Sequence, residues 1–134
     1  MGANKEQTFG DVPYTLGWTI TSADGTSKKD VAVAVADGAG LRIDFIRVVT
    51  DLGANQDVEF YLYDGTSTTP LGVQTITAGA GKSASVSIIE ALDKILPDSI
   101  SMKAGDKIQV AATAGITAGK TIWGTTLGVD LTSH

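Results

Sequence analysis

Asp57-Val58-Glu59-Phe60-Tyr61-Leu62-Tyr63 alternates apolar and polar or amphipathic side chains without a break. Val58, Phe60 and Leu62 fall on one side of an extended chain, and Glu59, Tyr61 and Tyr63 on the other. That two-residue period is the mark of a half-buried β-strand. Tyr14 to Thr21 repeats the pattern, with Leu16, Trp18 and Ile20 on one face and Thr15, Gly17, Thr19 and Thr21 on the other. Asp24-Gly25 follows as a turn, since glycine supplies the positive φ that tight turns need.

The flanking segments read in the same way. Asp30 to Ala36 has Val31, Val33 and Val35 on one face and Ala32, Ala34 and Ala36 on the other. Neither face is polar, as in strands covered on both sides. Leu41 to Thr50 starts with Leu41, Ile43 and Phe45 inward, but then Ile46 and Val48 carry the apolar face in the opposite phase. Such a slip predicts a β-bulge. Leu71–Thr77 and Ser83–Ile89 are weaker strands. Ser99 to Val110 reads as strand, Ala-Gly-Asp turn, strand. Thr121 to Leu131 closes the chain with Trp123, Leu127, Val129 and Leu131 in one phase. One stretch has another period: Ile88, Ile89, Leu92, Ile95 and Leu96 recur at helical spacing. Ser87 and Glu90 stand as a capping box before them and Pro97 after them, which predicts a short helix over 88–96.

Many short strands, Gly-rich turns and at most one short helix predict an all-β fold, an antiparallel β-sandwich or barrel. The expected core includes Trp18, Val33, Phe45, Phe60, Val110 and Leu127. At 134 residues the chain has the size of one domain. Residues 1–12 are polar and unpatterned and are expected to form a flexible arm, leaving a single domain over 13–134.

Composition narrows the function. The chain has no cysteine, a single histidine at its last position, His134, and a net charge of −5. Its lysines are scattered apart from Lys28-Lys29, so a nucleic-acid partner is not expected, because phosphate binding needs clustered Lys and Arg. Anionic membrane is disfavoured on the same ground, and no apolar run approaches the ~20 residues of a membrane helix. Residues 1–10 lack the apolar stretch of a signal peptide. The absence of cysteine fits folding inside a cell.

Candidate chemistry is sparse. Ala114-Gly115-Ile116-Thr117-Ala118-Gly119-Lys120-Thr121 approximates a phosphate-binding loop, but the β-branched, glycine-broken segment after it does not predict the helix such a loop requires. It is read as a hairpin loop. Asp57 and Glu59 share a strand face, whereas two-carboxylate hydrolysis needs groups opposed across a cleft. The Asp-Gly turns lack calcium-loop spacing. His134 has no partner for nucleophilic catalysis. No cofactor or metal is expected, and the chain reads as a non-enzyme. Its candidate partner interface consists of Phe9 in the arm, the small face Ala32, Ala34 and Ala36, and the outward Tyr61 and Tyr63. Small residues allow close approach and tyrosines anchor interfaces.

The cysteine-free, Ala/Gly/Thr-rich strands, the polar arm before Phe9 and the segment Ile100-Ser-Met-Lys-Ala-Gly-Asp-Lys-Ile-Gln-Val110 together resemble the capsid decoration, or cement, proteins of tailed phages. The resemblance implies a jelly-roll-like sandwich, made in the host cytoplasm and carried on the virion surface. It would bind the major capsid protein on the outside of an assembled shell and clamp neighbouring capsomers. It also implies self-association, as a trimer or a dimer. The alternative is a carbohydrate-binding β-sandwich module of a tail fibre or modular enzyme, stacking sugars on Tyr61, Tyr63 or a tryptophan.

Overall fold

The computed structural model describes residues 11–36, 38–91 and 100–131. Phe9 and the rest of 1–10 lie outside the described residues, as does most of the expected helix, over 92–96. The described residues form nine strands: β1 (Asp11–Thr21), β2 (Lys29–Val33), β3 (Leu41–Thr50), β4 (Gln56–Tyr63), β5 (Thr68–Ile76), β6 (Ile89–Ala91), β7 (Ile100–Met102), β8 (Lys107–Ala112) and β9 (Thr121–Leu131). The strand β1 begins inside the expected arm, at Asp11.

All pairings are antiparallel, and they are nested. β4 pairs with β5 across a tight loop, β3 with β6 and β7, β2 with β8, and β1 with β9. The chain is thus one long hairpin, rolled up so that β9 also meets β3 and β8 meets β4. The roll yields a five-stranded sheet, β1-β9-β3-β6 with β7 also on β3, and a four-stranded sheet, β2-β8-β4-β5. This is the strand order of a jelly-roll sandwich. The central hairpin is set by Asp64, whose Oδ1 accepts the backbone N–H groups of Thr66 (3.0 Å) and Ser67 (2.7 Å), an Asx-type turn.

The core lies between the sheets, with Phe60, Ile20, Leu41, Ile46, Ile76, Ile108 and Ile122 among its fully buried side chains. Trp18 lies over Gly124, its register partner on β9; a Cβ at Gly124 would overlap the indole ring. The indole N–H donates to Thr126 Oγ1 at 3.2 Å, which satisfies the one polar atom that burial would otherwise strand. Gly128 plays a second spacing role, where a Cβ would strike the Arg42 carbonyl of β3.

Five sequence expectations change. In β3 the register shifts between Ile43 and Phe45. The expected bulge is there, but it leaves Phe45 half-buried outside the core while Ile46, Val48 and Thr50 turn inward. In β2 a bulge between Asp30 and Ala32 puts Val31 and Ala32 both inside, at 0% exposure, and leaves Val33 half-buried opposite Lys107. Over 88–96, Ile89–Ala91 forms β6 on β3, not a helical turn. Ile89 and Ala91 alternate toward the core and Glu90 turns out to pair with Arg47 at 3.1 Å, so tertiary pairing overrides local spacing. Of the segment Ser83–Ile89, Ser83 and Val86 form an isolated bridge and Ile89 alone enters a strand. The loop at Lys120 is not a hairpin between paired strands either. It crosses from β8 in one sheet to β9 in the other, and a strand follows it.

β1 ends in a 3-10 turn, Ser22–Asp24. Asp24 Oδ2 accepts the Thr21 backbone N–H at 2.8 Å, and its Oδ1 lies 3.1 Å from Lys29 Nζ. The Thr21 N–H holds the Asp24 carboxyl below its ordinary value against an opposing push from burial, and Lys29 adds to the lowering.

Phe60→Ala will cost about 3–5 kcal/mol in urea unfolding, the range for emptying a fully buried aromatic site. Asp24 has a folded-state pKa below its unfolded one, so its contribution is present above about pH 4 and is lost as pH falls through the folded value. Asp24→Asn will therefore be less stable than the parent in melts at neutral pH, and the gap will close in melts at strongly acid pH.

Candidate interaction surfaces

The outer face of the four-stranded sheet is polar. Register places Asp30, Gln109, Tyr61 and Pro70 in one row, and Val33, Lys107, Tyr63 and Thr68 in the next. Gln109 Nε2 donates to Asp30 Oδ1 at 2.9 Å, and Lys107 Nζ lies 3.6 Å from Asp30 Oδ2. Tyr61 and Tyr63 are half-buried members of this network. The Tyr61 hydroxyl donates to Glu59 Oε1 at 2.7 Å and the Tyr63 hydroxyl to the Gly65 carbonyl at 3.0 Å. Lys28 Nζ sits 4.6 Å from the Tyr61 ring centroid, and Lys107 Nζ 6.0 Å from that of Tyr63, within cation–π range. The two tyrosines stand side by side on the outer face, as their spacing predicts, but hydroxyls and ring faces already have partners within the chain. The hydrogen bond to Glu59 raises the Tyr61 pKa above the ordinary tyrosine value, and burial and the Glu59 charge add to the rise.

Of the other predicted interface residues, Ala32 and Ala34 belong to the core, at 0% and 2% exposure, so they offer no surface to a partner. Ala34 is held there by the turn before β8: its N–H donates to the Asp106 carbonyl and its carbonyl accepts from the Gly105 N–H, both at 2.9 Å. Ala36 is exposed. The three alanines therefore form no common face.

The outer face of the five-stranded sheet differs in kind. On β9 the inward positions are Ile122, Gly124 and Thr126, small or polar apart from the isoleucine. The large apolar residues Trp123, Leu127, Val129 and Leu131, read from sequence as inward, are half-buried and stand outside the core cluster. The reason is Trp18, which fills the space that large inward side chains on β9 would need. Leu127 pairs with Phe45 on β3 and with Thr15 on β1, Trp123 with Val49 and Thr19, and Val129 with Arg42 and Pro13. Arg47 caps the Phe45 ring at 4.3 Å and Lys82 the Trp123 ring at 4.9 Å. The result is a stripe of half-exposed apolar side chains along the middle of a rigid sheet. Small residues, Thr15, Gly17 and Thr19, run along its β1 side, and the paired charges Arg42–Asp44 and Arg47–Glu90 along its β3 side. Sequence reasoning missed this surface. Its signal was the string Gly124, Thr126, Gly128, whose even parity is that of a strand pressed against a bulky neighbour.

Beside the stripe, the loop 81–88 borders an open hollow of about 490 Å³ with Lys82, Ser83 and Ile88 on its wall. Among the described residues no three His, Cys, Asp or Glu side chains gather to hold a metal ion, and no helix is long and apolar enough to cross a membrane.

No protein family matches the chain, and no curated protein sequence matches it. Among solved structures it is similar to the NLP core of Drosophila, described in terms of pentamer formation and histone binding. The identity is 15% and the TM-score 0.45, over 86% of this chain and 96% of that one. A likeness at that level transfers neither assembly nor ligand to this chain.

In a spectrophotometric pH titration two tyrosines will ionise above the ordinary range near 10: Tyr61, and Tyr14, whose burial disfavours the phenolate. Glu59→Ala will bring the Tyr61 transition down toward the ordinary value, because it removes the acceptor whose hydrogen bond favours the protonated phenol.

Proposed function

We propose that this chain is a non-enzymatic structural protein that works by mating a sheet face to another protein. Its setting is the outer surface of an assembled phage capsid, where it binds the major capsid protein and stabilises contacts between capsomers. The observation that carries the protein-binding part is the inverted β9, which turns Trp123, Leu127 and Val129 away from the core and lines them up with Phe45. A contiguous, partly exposed apolar strip on a rigid scaffold, edged by polar groups, is the anatomy of a protein-binding surface. The capsid setting rests on the resemblance of the Ala/Gly/Thr-rich, cysteine-free jelly-roll chain to decoration proteins.

Stabilisation follows from linkage. A protein that binds the assembled lattice and not free subunits shifts the equilibrium toward the shell by mass action. The carbohydrate reading is the second choice: Tyr61 and Tyr63 are already engaged by Lys28 and Lys107, and its remaining ring, the half-buried Trp123, has Lys82 at 4.9 Å.

The test is co-sedimentation of purified chain with shells assembled from the major capsid protein alone. The double variant Phe45→Ser with Leu127→Ser changes only half-exposed residues outside the core and will keep the parent's circular dichroism. Its affinity for shells will fall about tenfold or more, the scale of losing two apolar anchors. Tyr61→Ala with Tyr63→Ala will bind as the parent does. Equal binding by the Phe45/Leu127 variant, or no binding of the parent to shells, overturns the assignment.

A further inference from the structure

The sandwich has four edges, and three of them are blunted. β5 carries Pro70, an extra residue at Leu71 where the register shifts, and Gly72. β2 has only five residues, a bulge, and its Val33 N–H donated to the Tyr14 hydroxyl at 3.0 Å. The strands β6 and β7 have three residues each. The edge strand β1 carries Pro13 near its start but is otherwise different. It is eleven residues long and keeps an unshifted register with β9 throughout. Long, flat, uncharged edges are templates for strand addition, and natural proteins ordinarily disrupt them.

The hydrogen-bonding parity of β1 can be read from its end. Thr21 and Thr121 face each other in the ladder, and both turn their backbone groups away from it. The Thr21 N–H donates to Asp24 Oδ2 at 2.8 Å; the Thr121 N–H donates to Asp51 Oδ1 at 2.8 Å, and its carbonyl accepts from Thr50 Oγ1 at 2.9 Å. Antiparallel ladders alternate residue by residue. Thr19, Gly17 and Thr15 therefore also present N–H and C=O to the open side, and no other described element bonds to them. All three are exposed, and a Cβ built on Gly17 meets nothing within 4 Å.

We propose that this edge is a two-fold self-association site, at which β1 of a second copy adds antiparallel with Gly17 opposite Gly17. The occupant is a second copy because the edge is symmetric about Gly17. In that register Thr15 meets the partner's Thr19, a favourable cross-strand pair. Pro13, which has no N–H, meets the partner's Thr21, whose N–H is already taken by Asp24. The two positions unable to donate thus face each other, and neither leaves a bond unmade. Between them Thr15, Gly17 and Thr19 of both chains exchange N–H···O bonds in full. On the inner side, Leu16, half-buried and outside the core cluster, meets the partner's Trp18. The two five-stranded sheets join into one, and the apolar stripes of both copies come to lie on the same face. The site stands independently of the capsid reading, since it is built from backbone groups and not from the stripe.

The chain's lack of cysteine makes the test clean. Gly17→Cys places two thiols across the axis with Cα atoms about 5.5 Å apart, within disulfide reach. Thr125→Cys, one strand further in, places them about 14 Å apart, out of reach. Under mild oxidation Gly17→Cys will form a covalent dimer and Thr125→Cys, still able to pair through β1, will not cross-link. In sedimentation equilibrium the parent will be a dimer, and Gly17→Lys, with like charges meeting at the axis, will dissociate about fivefold more readily. Amide exchange at Thr15, Gly17 and Thr19 will be slow in the dimer and fast in a folded Gly17→Lys. A parent that stays monomeric at millimolar concentration, a trimer or larger closed ring, or a Gly17→Cys that cross-links no faster than Thr125→Cys overturns the proposal. So does slow exchange at those three amides in a monomer.

Discussion

The contact of Trp18 with Gly124 governs much else in this sandwich. A tryptophan on the first strand needs a hollow on its neighbour, and β9 supplies one by having no side chain at the register partner. Thr126 then stands where the indole N–H needs an acceptor. Once small and polar side chains occupy the inner face of β9, its large apolar residues have only the outer face left, because strand parity allows no third direction. Core filling and surface character are therefore a single decision. A larger residue at Gly124 would displace Trp18 and disturb both sides of the sheet together.

The sandwich is accordingly two-faced. One outer surface is a self-contained polar network in which Asp30, Gln109, Lys107 and the tyrosines satisfy one another. The other exposes an apolar ridge beside a small-residue trough, with its charges already paired at 3.0–3.1 Å. Exposed ion pairs of this kind contribute little stability. They rim the ridge, and under the proposed protein-binding role a partner lacking matching polar groups would be disfavoured there.

Where the sequence was legible, the reading depended on one strand alone. The alternation in β4 and β1 shows which residues face inward, and Phe60, Ile20 and Trp18 are buried as expected. The bulge in β3 shows as a phase slip in its own letters. Where reading failed, the deciding partner was far away in the chain. Nothing near Leu127 says that Trp18 has already filled the space beneath β9. Nothing near Val33 announces the bulge that turns it outward while drawing Ala32 inside. Ile88 to Leu96 has helical spacing, and only pairing with Arg47 and Val48 makes Ile89–Ala91 a strand. The tyrosines are outward as read, yet the lysines over their rings come from Lys28 and from Lys107, well separated from them in sequence.

The nested pairing also bears on how the molecule comes into being. Only the innermost hairpin, β4 with β5, closes a short loop; each outer pair encloses all the chain within it, and β1 waits for β9. Loop-closure entropy rises with each enclosed length, and folds built on such distant partners are slow to form. During synthesis on the ribosome β1 emerges before the other described strands and remains unpaired until β9 has followed. Its Leu16, Trp18 and Ile20 are then uncovered in an extended segment with two open edges, a state prone to wrong pairing. The threonines and glycine that line the opposite side of that strand keep the waiting segment from being apolar on both faces.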